Sequence, residues 1–191
     1  MANKPPKPRI GLLALTLELY EQLLPTLRED RERWLRQSVL PILESFAEVE
    51  FDRAVFTREG IEAAVRGFEA SGVDALMVIC LTYSPSQLAL PALRRTRLPI
   101  LIWNTQELPA VGNDFDAAKM VANHGVHGTQ DLTSVLVQHG VPFEYVTSHL
   151  TDREGLEKIG RFCIAAAAVA GLRRLHVGLL GYPFPGMGDF A

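Results

Sequence analysis

Cysteine is scarce in this chain. Cys80 and Cys163 are the only two in 191 residues, too few for a disulfide framework. One lies in an apolar run and the other in an alanine-rich one, so two buried, unbonded thiols in a reducing cytoplasm are expected. An excess of charge of either sign is also missing. The 19 basic and 22 acidic residues interleave to a net charge of -3, which excludes nucleic acid and anionic membrane as main partners. No apolar stretch is long enough to span a bilayer. The apolar run after the proline-rich arm Lys4–Arg9 is cut by Glu18 and Glu21 and lacks a small-residue cleavage site, so it does not read as a signal peptide. There is no internal repeat and no low-complexity linker.

Several chemistries fall with these absences. A hydrolase would need a Gly-x-Ser-x-Gly elbow, which does not occur. Gly178-Leu179-Leu180-Gly181 and Gly186-Met187-Gly188 do not make a dinucleotide fingerprint, because Pro183 and Pro185 stand where a helix should begin. A receiver domain would want an acidic pair after the first strand, where the chain has Leu13-Ala14-Leu15. Cys80-Leu81-Thr82 has the form of one base of a two-cysteine racemase, but Cys163 falls in a helical run and not at a matching strand end. No cluster of carboxylates is aimed at one point, as a hard divalent ion would require.

What is present is an ordinary globular composition, 48% hydrophobic and 21% charged, long enough for one domain and the beginning of another. Apolar runs at 10–15, 49–56, 73–81, 98–103, 143–147 and 175–181 read as strands. Between them lie helical patterns: 25–46 with Pro41 expected to kink it, 57–71 closed by Gly72, a short one to Arg95, one through Leu132–His139 to Gly140, and one from the capping box Thr151–Glu154 to near Gly171. Alternation of strand and helix without hairpin signals predicts an α/β fold, a three-layer doubly wound parallel sheet of the flavodoxin-like kind. The expected division is an amino-terminal domain over 1–172, with 173–191 forming a first strand and loop into a second domain.

The polar clusters Thr16–Tyr20, Thr82–Ser86, Asn104–Gln106 and Thr147–His149 each follow an apolar run and so gather at the carboxyl edge of the sheet, where such folds bind ligands. Beside them stands Asn123-His124-Gly125-Val126-His127-Gly128, holding two of the five histidines. If Asp114 or Asn123 opens a helix, spacing of three points both imidazoles to one side, with Asp131 a turn later on about the same side. A neutral imidazole both donates and accepts, so this face suits sugar hydroxyls or proton transfer. The plainer reading is two solvated side chains near a helix start.

Taken together, Leu19-Tyr20, Leu81–Ser86, Trp103–Gln106, Asn123–Gly128, Val146–His149 and the run Gly181–Phe190 resemble, in order, the amino-terminal part of the L-arabinose and L-fucose isomerase family. The resemblance covers essentially the whole chain. It implies a cytoplasmic, metal-dependent aldose–ketose isomerase of about three such domains' length, assembled as a homo-oligomer, trimer or hexamer, that acts on a pentose or deoxyhexose with a divalent cation of the Mn2+ type. It also implies that His124 and His127 stand where the arabinose branch sets a glutamine and a histidine on a sugar in a neighbouring subunit's site. Leu19 and Tyr20 match a loop lining that site, and Met187 a methionine at the sugar pocket.

Two departures accompany the likeness. Thr16-Leu17-Glu18 replaces a more polar run, so the sugar need not be arabinose. The family's metal-binding glutamates and histidines belong to later domains, so no catalytic or metal residue is expected here, and the sequence reads as a gene fragment or a free-standing first domain that is inactive alone. The alternative is a non-catalytic flavodoxin-like module that binds a small ligand or a partner.

Overall fold

The computed structural model describes residues 6–178. Five strands, β1 (Arg9–Leu15), β2 (Glu48–Glu50), β3 (Ala75–Cys80), β4 (Ile100–Asn104) and β5 (Glu144–Thr147), form one sheet in the order β2-β1-β3-β4-β5. Every pairing is parallel. This is the doubly wound flavodoxin-like arrangement expected, and its strand order reverses direction between β1 and β3.

The three central strands alternate with period two between two separate cores. Ile10, Leu12, Ala14, Ala75, Met77, Ile79, Leu101 and Trp103 face one side. There they meet Leu35, Val39 and Leu43 of the span α2 (Leu27–Trp34) to α3 (Leu40–Glu44), and Ile159, Cys163 and Ala166 of α8 (Arg153–Arg174). Leu13, Leu15, Leu76, Val78, Cys80, Ile100 and Ile102 face the other side. Over them lie α4 (Arg58–Ser71), α5 (Ser86–Arg95) and α7 (Gly125–Gln138). Burial on both faces explains why these strands read as continuous apolar runs; each large side chain taken out of water contributes about 1.5–3 kcal/mol. It also separates the two thiols: Cys80 and Cys163 are free, buried, and on opposite sides of the sheet.

Local signals explain most boundaries. Thr57 caps α4 by accepting from the Gly60 N–H at 3.1 Å, and Gly72 closes it at φ 73°. The box at Thr151 is shifted by one residue: Asp152 is the cap, accepting from Glu154 and Gly155, while Thr151 Oγ1 turns to His149. Gly171 does not take a positive φ, and α8 runs past it to Arg174. The sixth strand expected from 175 is not formed over 175–178, and its remainder, like Met187, lies outside the described residues. The second strand is shorter than expected, since only Glu48–Glu50 pair fully and Val55 adds an isolated bridge to Leu15.

The long helix of 25–46 is divided. Between α2 and α3 the five residues Leu35–Val39 form a π-helical turn, with the Leu40 N–H bonded back to the Leu35 carbonyl. Pro41 follows in the first turn of α3. A proline ring crowds the carbonyl four residues before it and cannot donate, so the widened turn accommodates what a regular helix would not.

Candidate functional site

The site begins with how α7 starts. Gly125 and Gly128 are buried against the end of β3 and the loop after it. A Cβ at Gly125 would lie 2.0 Å from the Cys80 carbonyl oxygen, and one at Gly128 2.9 Å from the Ser84 nitrogen. Only glycine allows the helix to approach so closely. His124 and His127 precede these glycines by one residue each, about 100° around the axis, and are therefore turned off the sheet toward the open edge. The motif is two interleaved pairs at spacing three: glycines inward, imidazoles outward. Thr129, buried, donates to the Gly125 carbonyl at 3.0 Å and steadies the same turn.

The imidazoles come together as expected, with ring centroids 4.6 Å apart in an edge-on arrangement. Tyr20, on α1 (Glu18–Leu23) directly after β1, brings its hydroxyl to 3.0 Å from His124 Nδ1. Tyr83, in the loop after β3, places its ring 5.9 Å from that of His124. Residues following β1, β3 and β4 thus converge beside the point where the strand order reverses. His124 is half-buried and His127 exposed. Burial, and next the neighbouring His127, hold the His124 imidazolium below its ordinary range, while burial pushes the Tyr20 phenol up. Both groups are neutral around pH 7.

The helix start differs from the expectation. Asp116, not Asp114 or Asn123, opens a separate short helix, α6 (Ala117–Ala122), accepting from the Lys119 N–H at 2.8 Å. Asn123 closes α6, donating to the Lys119 carbonyl at 2.7 Å and accepting from the Leu108 N–H at 2.9 Å. Asp131 does not join the histidines. Its Oδ2 accepts from the Ser86 N–H at 2.9 Å, supplying α5 with the cap that Pro85, lacking a suitable side chain, cannot provide. Arg31 ties the other flank down through Glu107 and the Ala122 carbonyl.

Of the sequence-derived site residues, Tyr20, His124 and His127 lie together, Leu19 is 52% exposed beside Tyr20, and Met187 falls outside the described residues. Tyr83 was visible only as part of a polar loop; nothing in its spacing signals that its ring flanks His124. Thr16, Ser84 and Thr105, at the ends of β1, β3 and β4, bury hydroxyls that have no hydrogen-bond partner among the described residues, so polar capacity accumulates at this edge. A cavity of about 760 Å³ lies at the opposite edge, among the starts of β4 and β5 and the ends of α5, α7 and α8. Its one imidazole, His139, is bonded back to the Val135 carbonyl of its own helix.

A divalent ion does not fit this cluster. Asp131 is committed to α5, His124 Nδ1 is engaged by Tyr20, and no group of three or more His, Cys, Asp or Glu among the described residues is placed to hold a metal. Cys80 is no better suited to catalysis: burial drives its thiol up to about 12, so it carries no thiolate. No described helix is long and apolar enough to cross a membrane.

Comparison with known proteins agrees with the family likeness. The family profile described as the L-arabinose isomerase N-terminal domain matches residues 30–174, which include both histidines and leave Tyr20 to be placed by geometry. L-arabinose isomerase of Aeromonas salmonicida is 31% identical over 109 residues, covering 56% of this chain and 21% of that protein. L-arabinose isomerase 1 of Bacillus licheniformis is 26% identical over 141 residues, covering 70% of this chain and 28% of the relative. The chain thus spans between a fifth and a third of the length of these relatives. With a match that runs from α2 to the end of α8 and a sheet of the expected order, the chain belongs to the L-arabinose isomerase N-terminal domain family.

Proposed function

We propose that this domain grips a sugar, a pentose or deoxyhexose, for a cytoplasmic aldose–ketose isomerase that moves hydrogen between C1 and C2 through an ene-diol. The observation that carries the reading is the group of Tyr20, His124 and His127, drawn from two distant segments to the carboxyl edge at the strand reversal. The two imidazole rings lie 4.6 Å apart at the open edge, and an imidazole ring can offer sugar hydroxyls both a donor and an acceptor. A divalent ion of manganese type, which the family likeness implies, would take its ligands from outside the described residues.

The same reading places the sugar at a boundary between subunits of a homo-oligomer, trimer or hexamer. Leu19 and Leu23 on α1, Leu24 directly after it and Met120 on α6 are all more than 40% exposed on segments that adjoin the histidines, which suits a covering neighbour. The test is titration of the chain with L-arabinose and L-fucose, reading the histidine ring resonances by NMR. The His124 and His127 signals should move saturably with sugar, and His127→Ala should weaken binding roughly fivefold, as loss of one hydrogen bond does. Sugars at tens of millimolar that leave both rings unmoved would overturn the reading.

A further inference from the structure

The Tyr20–His124 contact removes one of the two functions a histidine ordinarily offers a ligand. Nδ1 stands 3.0 Å from the Tyr20 hydroxyl, so only Nε2 remains for anything bound at the open edge. What Nε2 can do depends on which partner carries the proton in that contact. If the imidazole Nδ1–H donated to the phenol oxygen, Nε2 would be a bare acceptor; if the phenol donates, Nε2 keeps its hydrogen. A phenol O–H is the better donor and an imidazole nitrogen the better acceptor, and the surroundings reinforce that assignment. Burial keeps the phenol protonated, and burial together with His127 keeps the imidazole unprotonated. Tyr83 and His127 flank the His124 ring, their ring centroids 5.9 and 4.6 Å from its own.

We propose that Tyr20 is a positioning residue whose hydroxyl donates to His124 Nδ1, holding His124 in its Nε2–H form so that this position recognises a ligand oxygen only as a hydrogen-bond acceptor. His127, exposed and on the outer side of the pair, keeps both nitrogens for either role. The two imidazoles, alike in sequence, are thereby made different: one is a fixed donor, the other adapts. A carbonyl oxygen, or a hydroxyl whose own hydrogen points elsewhere, satisfies His124; a group that can only donate does not. The ligand consequence rests on the sugar-binding reading, but the tautomer itself is a property of the unliganded chain.

The experiment is long-range proton–nitrogen correlation NMR on the 191-residue chain with labelled histidine, at neutral pH and without sugar. His124 should show Nδ1 in the unprotonated range and Nε2 in the protonated range. In Tyr20→Phe the two nitrogens should move toward averaged values, the tautomer ratio falling by roughly fivefold or more as one hydrogen bond is lost. The His139 and His149 signals should stay in place, showing that the fold is kept. A wild-type spectrum with His124 protonated on Nδ1, or averaged, would overturn the proposal, and that measurement needs no variant. An unchanged His124 signature in a folded Tyr20→Phe protein would overturn it too. Because no sugar is present, failure here is separate from failure of the sugar titration.

Discussion

The two faces at the start of α7, both drawn from His124–Gly128, have opposite tolerances. The inward face, Gly125 and Gly128, touches backbone atoms of β3 and its loop and has no space to give. On the outward face, His124 is half-buried and His127 exposed, and the groups around them are side chains. The difference teaches that a motif rich in glycine and histidine divides into a part that sets position and a part that meets the ligand, and that the two are separated by measuring stability and binding on the same variants.

The largest effect is expected at Gly125→Ala. Alanine in place of helical glycine ordinarily stabilises by up to ~1 kcal/mol, but here the added carbon must displace a backbone carbonyl, so a net loss of about 3 kcal/mol or more is expected in denaturant melts. Gly128→Ala meets its nearest atoms at 2.9 and 3.1 Å and should lose about 1–2 kcal/mol. Gly160→Ala in α8 has open space around the new carbon and should gain ~0.5–1 kcal/mol, restoring the ordinary sign. If all three glycines behaved alike, the division between the faces would be lost.

The outward face yields smaller effects on stability. A histidine whose folded pKa lies below its unfolded value binds protons more readily once unfolded, so it subtracts stability as pH falls through about 6.5 and levels off below the folded value. His124→Gln should therefore flatten the stability profile between neutral and mildly acid pH, which chemical denaturation at a series of pH values would read. His127→Ala should change the melting temperature least of all, by no more than a degree or two, since the side chain is exposed and bonded to nothing among the described residues. A large loss of stability there would return His127 to the class of packing residues.

Much of the architecture was legible because burial on two faces writes strands as apolar runs. Leu76 to Cys80 and Ile100 to Trp103 could be read as strands without knowing their neighbours, and the carboxyl-edge grouping followed from the alternation alone. Contacts between distant segments were not legible. Tyr20 and His124 are 104 residues apart, and no local pattern says that they meet, although the family likeness had put both near one site. Asp131 was misassigned for the same reason: a carboxylate a turn beyond two histidines suggests a shared task, whereas its partner is a backbone N–H 45 residues earlier that Pro85 leaves uncapped. Boundaries such as the Asp152 cap and the continuation of α8 through Gly171 turn on one or two residues, where several side chains compete for the same role.

The π-helical turn at Leu35–Val39 also keeps time for the helix. Leu35, Val39 and Leu43 recur every fourth residue along this span and are all buried on the same side of the sheet. In a regular helix each step of four overshoots a full turn by ~40°, so two steps would carry the last of them ~80° around the axis and away from the sheet. The wider turn takes back part of that drift. Pro41 therefore fixes phase as well as path: the span behaves like a helix that has absorbed one additional residue on its solvent side at Arg36 and Gln37, and the apolar stripe stays turned toward β1.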